Sequence, residues 1–104
     1  MLVDTHAHLF WESFQEDFDA VIQRCIDTKV TTIINVGVDV RLSEKATLLQ
    51  SNNDQIKFYS TIGIHPHEAV KYFSDQRQEI SDKIGQDLKK LEEIYTKNPQ
   101  KVIG

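Results

Sequence analysis

A second cysteine is missing from this sequence. Cys25 stands alone, so no intrachain disulfide can form and nothing points to an oxidising compartment. An excess of positive charge is missing too. Against 12 Lys and Arg stand 16 Asp and Glu, for a net charge of −4. That excludes the broad basic surface of a protein that grips nucleic acid through its backbone alone. A nuclease is not excluded with it, because bound divalent ions can meet a phosphate in place of basic side chains. No apolar run is long enough to span a bilayer, and no basic segment with an apolar core precedes the first strand, so a cytoplasmic protein without a membrane partner is expected. No G-x-G-x-x-G or P-loop follows any predicted strand, which withdraws the usual support for a nucleotide-binding doubly wound domain. Internal repeats and low-complexity linkers are absent as well. What is present is ordinary: 104 residues, 39% hydrophobic and 27% charged, enough for one small folded domain.

The histidines are not ordinary. All four fall in two pairs of the same spacing, His6/His8 and His65/His67. The first pair closes the stretch Met1-Leu2-Val3-Asp4-Thr5-His6-Ala7-His8. Leu2 and Val3 read as a short buried strand. Residues two apart in a strand point the same way, so Asp4, His6 and His8 are expected to project together from its end. Two imidazoles with a carboxylate beside them begin a divalent metal site.

After a loop at Leu9-Phe10-Trp11, Ser13 and Glu16 form the S-x-x-E pattern of a capping box and predict a helix start. Phe14, Phe18, Val21, Ile22, Cys25 and Ile26 then mark one apolar helical face, with Cys25 as a core thiol rather than a nucleophile. Residues 31–37 are a β-branched run ending at Gly37 and predict a second buried strand. Leu42, Ala46 and Leu49 share a helical face, and Ser51-Asn52-Asn53-Asp54 is a turn. Ile56 to Ile64 reads as a third strand, stopping before Pro66. Residues 68–83 carry no clear period, although 68–73 reads as a short helix over the site. Ile84, Leu88, Leu91 and Tyr95 repeat at helical spacing until Asn98-Pro99, and residues 101–104 open a fourth strand. The order β-α-β-α-β-loop-α-β predicts right-handed crossovers and a parallel α/β sheet.

In parallel α/β folds the working groups gather at the carboxyl ends of the strands. His6 and His8 follow strand one, Gly37 and Asp39 follow strand two, and His65 and His67 follow strand three. Both histidine pairs therefore fall on one rim. Each residue also has a plainer reading. Either pair could be solvated histidines at a strand end. Asp4 could form an interior hydrogen bond, and as a functional residue it would orient an imidazole rather than ligate. Asp39 reads as a cap, Trp11, Tyr72 and Phe73 as packing residues, and the charges of 75–97 as a solvated helix face.

Asp4-Thr5-His6-Ala7-His8, followed by Gly63-Ile64-His65-Pro66-His67 and ending on Val102-Ile103-Gly104, resembles the TatD family of metal-dependent hydrolases. The resemblance covers the whole chain and less than half of the family's length. It implies a TIM-type (β/α)8 barrel, which needs about 250 residues, so the chain would be a single incomplete domain of about three and a half βα units, broken off within the fourth strand. It implies a deoxyribonuclease or other phosphodiester hydrolase in which metal-activated water attacks phosphorus. His6 and His8 would ligate one ion of a two-metal site of Mg, Mn or Zn. His65 and His67 would meet the substrate phosphate. The family's metal-bridging Glu is expected one residue past Gly104, and no catalytic residue can be named within the chain.

DNA or another phosphodiester is the implied partner, and the open sheet edges of a partial barrel invite self-association. Taken alone, 104 residues are expected to lack efficient nuclease activity. Two other readings stand beside this one: an amidohydrolase-type enzyme acting on an amide or ester through the same scaffold, and a non-catalytic remnant or interaction module.

Overall fold

The computed structural model describes residues 1–73 and 77–104, the side chains of 77–79 excepted. In chain order come β1 (Leu2–Ala7), α1 (Phe18–Asp27), β2 (Val30–Val36), α2 (Val40–Leu48), β3 (Lys57–Thr61), α3 (Pro66–Ala69) and α4 (Arg77–Lys97), with 3-10 turns at Glu12–Phe14 and Val70–Tyr72. The three strands form one parallel sheet in the order β1-β2-β3. Val102 opens a fourth position beside β3: Ser60 donates its N–H to the Lys101 carbonyl, and Ile103 donates to the Ser60 carbonyl, both at 2.9 Å. The strand–helix alternation and parallel pairing are those predicted from the sequence.

β2 is central, paired with β1 along one edge and β3 along the other. Ile33 and Asn35 are almost wholly enclosed. Ile33 joins Leu9, Ile22 and Ile56 in the main core, and Phe14, Phe18, Val21, Cys25 and Ile26 pack against it from the α1 side. The apolar face predicted for α1 is therefore correct. Its start is not. Ser13 lies in a 3-10 turn and α1 begins at Phe18 after Asp17. The turn is held by Trp11 N–H to His8 O and Phe14 N–H to Trp11 O, which commits residues 11–15 to the tighter spiral.

β1 departs from expectation. Leu2 and Val3 are 58% and 50% exposed, because β1 is an edge strand paired only with β2. β3 ends at Thr61, short of the predicted Ile64. Beyond it the backbone turns to other partners: Gly63 N–H donates to Ser43 Oγ and His65 N–H donates to the Val38 carbonyl.

α2 buries Ser43, Ala46 and Thr47 rather than the larger Leu42 and Leu49. Its seat is close to the sheet. A Cβ added at Gly37 would lie 2.5 Å from Ser43 Cα, so small residues are needed on both sides. Among the described residues of α4, Leu91 and Ile94 are buried, while Leu88 and Tyr95 are about half exposed. Of the predicted stripe, Leu91 is buried and Ile84 partly so, while the neighbours Asp87 and Ile94 take the inward places expected of Leu88 and Tyr95. Asp87 accepts the Tyr72 hydroxyl at 2.7 Å. Of the charged face read over 75–97, residues 75 and 76 lie outside the described residues. Phe73, predicted to pack, is 80% exposed. No helix among the described residues is long and apolar enough to cross a membrane.

Candidate active site

An open cleft at the carboxyl ends of β1 and β3 is lined by His6, His8, Trp11, Val38, His65, His67 and Glu68. The two histidine pairs, 57 residues or more apart in sequence, thus share one wall-to-wall space.

The first pair rides on β1. One extra β1 residue faces β2 between the Asp4↔Ile33 and Ala7↔Asn35 pairings, so a bulge re-aims the strand before the chain reaches His8. The His6 and His8 rings stand edge to face with centroids 5.2 Å apart. Asp4 Oδ1 accepts the His6 backbone N–H at 2.9 Å, and so braces the main chain rather than a ring. His8 is fixed more firmly. Its Nδ1 lies 2.8 Å from the Val36 carbonyl oxygen. A carbonyl can only accept, so Nδ1 carries the proton and Nε2 keeps its lone pair. Next along the chain, Leu9 N–H donates to the buried Asn35 Oδ1 at 2.9 Å, which ties the turn after His8 to β2.

The second pair is set by the opening of α3. His65 is its N-cap, Pro66 its first residue, and His65 Nδ1 accepts the His67 backbone N–H at 3.2 Å. An Nδ1 that accepts places the proton of the neutral ring on Nε2. His8 and His65 therefore hold opposite tautomers: one offers a lone pair to the cleft, the other an N–H.

Three contributors were not legible as site residues. Trp11, predicted to pack, is 46% exposed and stacks flat on His8, with centroids 4.7 Å apart and planes 4° from parallel. Its nearness to His8 in sequence was the available signal. Glu68 enters the cleft wall and pairs with Lys71, whose ammonium is held above the ordinary lysine range chiefly by that bond. Ser43, fully buried on α2, is hydrogen-bonded to both Gly63 N and Gly63 O and so supports the segment leading into His65. Asp39, as predicted, caps α2 by accepting Leu42 N–H at 2.7 Å, and its other oxygen faces Lys71.

Among the described residues no group of three or more His, Cys, Asp or Glu stands ready to hold a metal. His8, with Nδ1 engaged and Nε2 free, and His6 beside it fit a divalent ion as two of its ligands and not as a complete set.

A parallel α/β sheet whose strand ends bring two histidine pairs into one cleft defines a class: α/β proteins that work at the carboxyl rim, as barrel enzymes do. Within that class the chain belongs to the TatD-related DNase family, whose model matches residues 3–104. The fold is accordingly an α/β fragment consistent with the N-terminal part of that family's barrel. Over 70 residues it is 40% identical to the uncharacterized metal-dependent hydrolase YabD of Bacillus subtilis, covering 67% of this chain and 27% of that protein. Over 79 residues it is 27% identical to the 3'-5' ssDNA/RNA exonuclease TatD of Enterobacter lignolyticus, covering 76% of this chain and 30% of that protein. The chain spans less than a third of the length of these curated relatives.

Proposed function

We propose that this chain is the front part of a divalent-metal-dependent phosphodiester hydrolase acting on nucleic acid, with His6 and His8 as metal ligands and His65 and His67 as contacts to the substrate phosphate. One observation carries the reading: the opposite tautomers of His8 and His65 across a shared cleft. A lone pair on Nε2 suits a cation. An N–H on Nε2 suits a phosphoryl oxygen. Bound divalent ions, two in number and drawn from Mg, Mn or Zn, would activate water and neutralise charge on the phosphoryl and leaving oxygens.

The chain's own residues do the rest. Val36 holds His8 in its tautomer, Asp4 braces the strand through His6, and the His65 cap sets the phosphate-facing ring. The chain's share of its relatives' length, under a third, supports reading residues 1–104 as one incomplete barrel domain. The exposed Leu2 and Val3 on the open edge of β1 would favour self-association where nothing else covers them.

The test is hydrolysis of a single-stranded oligonucleotide by the protein in its full native length. Activity is expected only with divalent metal, lost on chelation and restored by metal. His6→Ala and His8→Ala should each lower kcat by about 100-fold or more, the scale of losing one group that stabilises a charged transition state. Turnover of amide or ester substrates in preference to phosphodiesters would sink the reading.

A further inference from the structure

Next to the histidine cleft lies a second groove, lined by Phe10, Trp11, Glu12, Arg41, Leu42 and Lys45. Trp11 is common to both. From this groove we infer a subsite for the nucleotide flanking the scissile phosphodiester: Trp11 offers a stacking face, and Arg41 with Lys45 receives the backbone phosphates on that side. The inference rests on the phosphodiesterase reading above and adds to it the path by which the strand leaves the cleft.

The two cations and the aromatic each support it. Arg41 and Lys45 are one helical turn apart and so share a flank of α2. The inner face of that helix is fixed by buried Ser43, Ala46 and Thr47, which holds the flank in place beside the β1–α1 loop. Among the described residues neither cation has a carboxylate partner, whereas Arg24, Lys71 and Lys90 all do. Two unpaired cations on one groove are conspicuous in a chain of net charge −4. Glu12 is the one acid in the groove, which leaves it net positive.

Trp11 is the third element. It is the sole tryptophan, half exposed, and held by two rings: it stacks on His8 and stands perpendicular to buried Phe10, with those ring planes at 89°. An aromatic beside phosphate-binding cations is how sequence-tolerant single-strand sites are built, because every base has a face to stack. The stack also links the subsite to the chemistry, since the ring that would order the neighbouring base lies against the candidate ligand His8.

The test measures binding of a fluorescein-labelled oligo-dT by anisotropy, in EDTA so that nothing is cleaved, using the protein in its full native length. Arg41→Glu/Lys45→Glu is expected to weaken binding by about tenfold or more near physiological salt. Arg41→Gln/Lys45→Gln, the milder pair, should lower the slope of log K against log salt by about 1.4, at about 0.7 per single-strand phosphate contact. Lys57→Glu, an exposed lysine at the opposite end of β3, should leave both readouts unchanged. Circular dichroism confirms that each variant is folded. Unchanged affinity and salt slope in both double variants would overturn the subsite. Equal loss in Lys57→Glu would overturn it too, as diffuse charge. Hydrolysis of bis(p-nitrophenyl) phosphate by the wild type, a phosphodiester with no flanking nucleotide, separately reports on the phosphodiesterase reading. If it is cleaved while the double variants bind normally, only the subsite has failed.

Discussion

His8 donates its Nδ1 proton to the carbonyl of Val36 at 2.8 Å, across the β1–β2 pairing and 28 residues along the chain. The bond does more than hold a ring. It decides which nitrogen can act on anything entering the cleft, and it does so with a main-chain group that no substitution removes.

The neutral rings of His8 and His65 should therefore show different tautomers. In long-range 1H–15N spectra, at a pH where both are uncharged, His8 is expected to be protonated on Nδ1 and His65 on Nε2. Identical tautomers at the two positions would remove the division of labour proposed for them.

Ser43→Ala should destabilise the fold by about 1–3 kcal/mol, since it strips the Gly63 N–H of its acceptor in a partly buried setting. Urea denaturation gives the value. Because Gly63 leads into His65, native-state hydrogen exchange should also speed up across 63–67. A loss of stability without faster exchange there would make Ser43 a packing residue only.

Tyr72 and Asp87 make stability depend on pH at both extremes. Burial and the Asp87 carboxylate push the Tyr72 hydroxyl up to about 12. A raised pKa stabilises the fold below the unfolded tyrosine value near 10, and the contribution is lost as pH climbs from about 10 to about 12. Asp87 is lowered, first by the Tyr72 hydroxyl. Its contribution is present above the unfolded carboxylate value of about 3.9 and lost as pH falls through the depressed one. Tyr72→Phe should flatten both flanks of a Tm-against-pH curve. In absorbance titrations it should delete the phenolate step that occurs near pH 12. A curve unchanged by the substitution would show that the bond does not form in solution.

Cys25 should react slowly with Ellman's reagent in the native protein and fast in urea. Burial, followed by the negative charge of Asp4, pushes its thiol up from the ordinary range, so little thiolate is present near neutral pH. Equal rates in the two states would mean that α1 does not pack its Cys25 face against the core.

Local pattern alone carried much of this. Alternating strand and helix signals predicted parallel pairing, the α1 stripe predicted which side chains meet the core, and two H-x-H spacings at strand ends predicted one rim. Features that depend on neighbours in space were misread. Ser13 and Glu16 fit a capping box, yet bonds from Trp11 and Phe14 draw that stretch into a 3-10 turn. Leu88 looked like core from its period, yet Asp87 takes the inward place because Tyr72 waits there with a hydroxyl.

The sequence by itself determined the order of elements and which residues could do chemistry, because period and residue type are local properties. Only the tertiary structure decided how those residues are armed. Val36 reaches His8 because two strands pair, Trp11 lies on His8 because a bulge and a turn fold it back, and Arg41 and Lys45 share a groove with Trp11 because Gly37 lets α2 sit close. Each depends on a distance between residues far apart in the chain, and such distances are set by packing rather than by pattern.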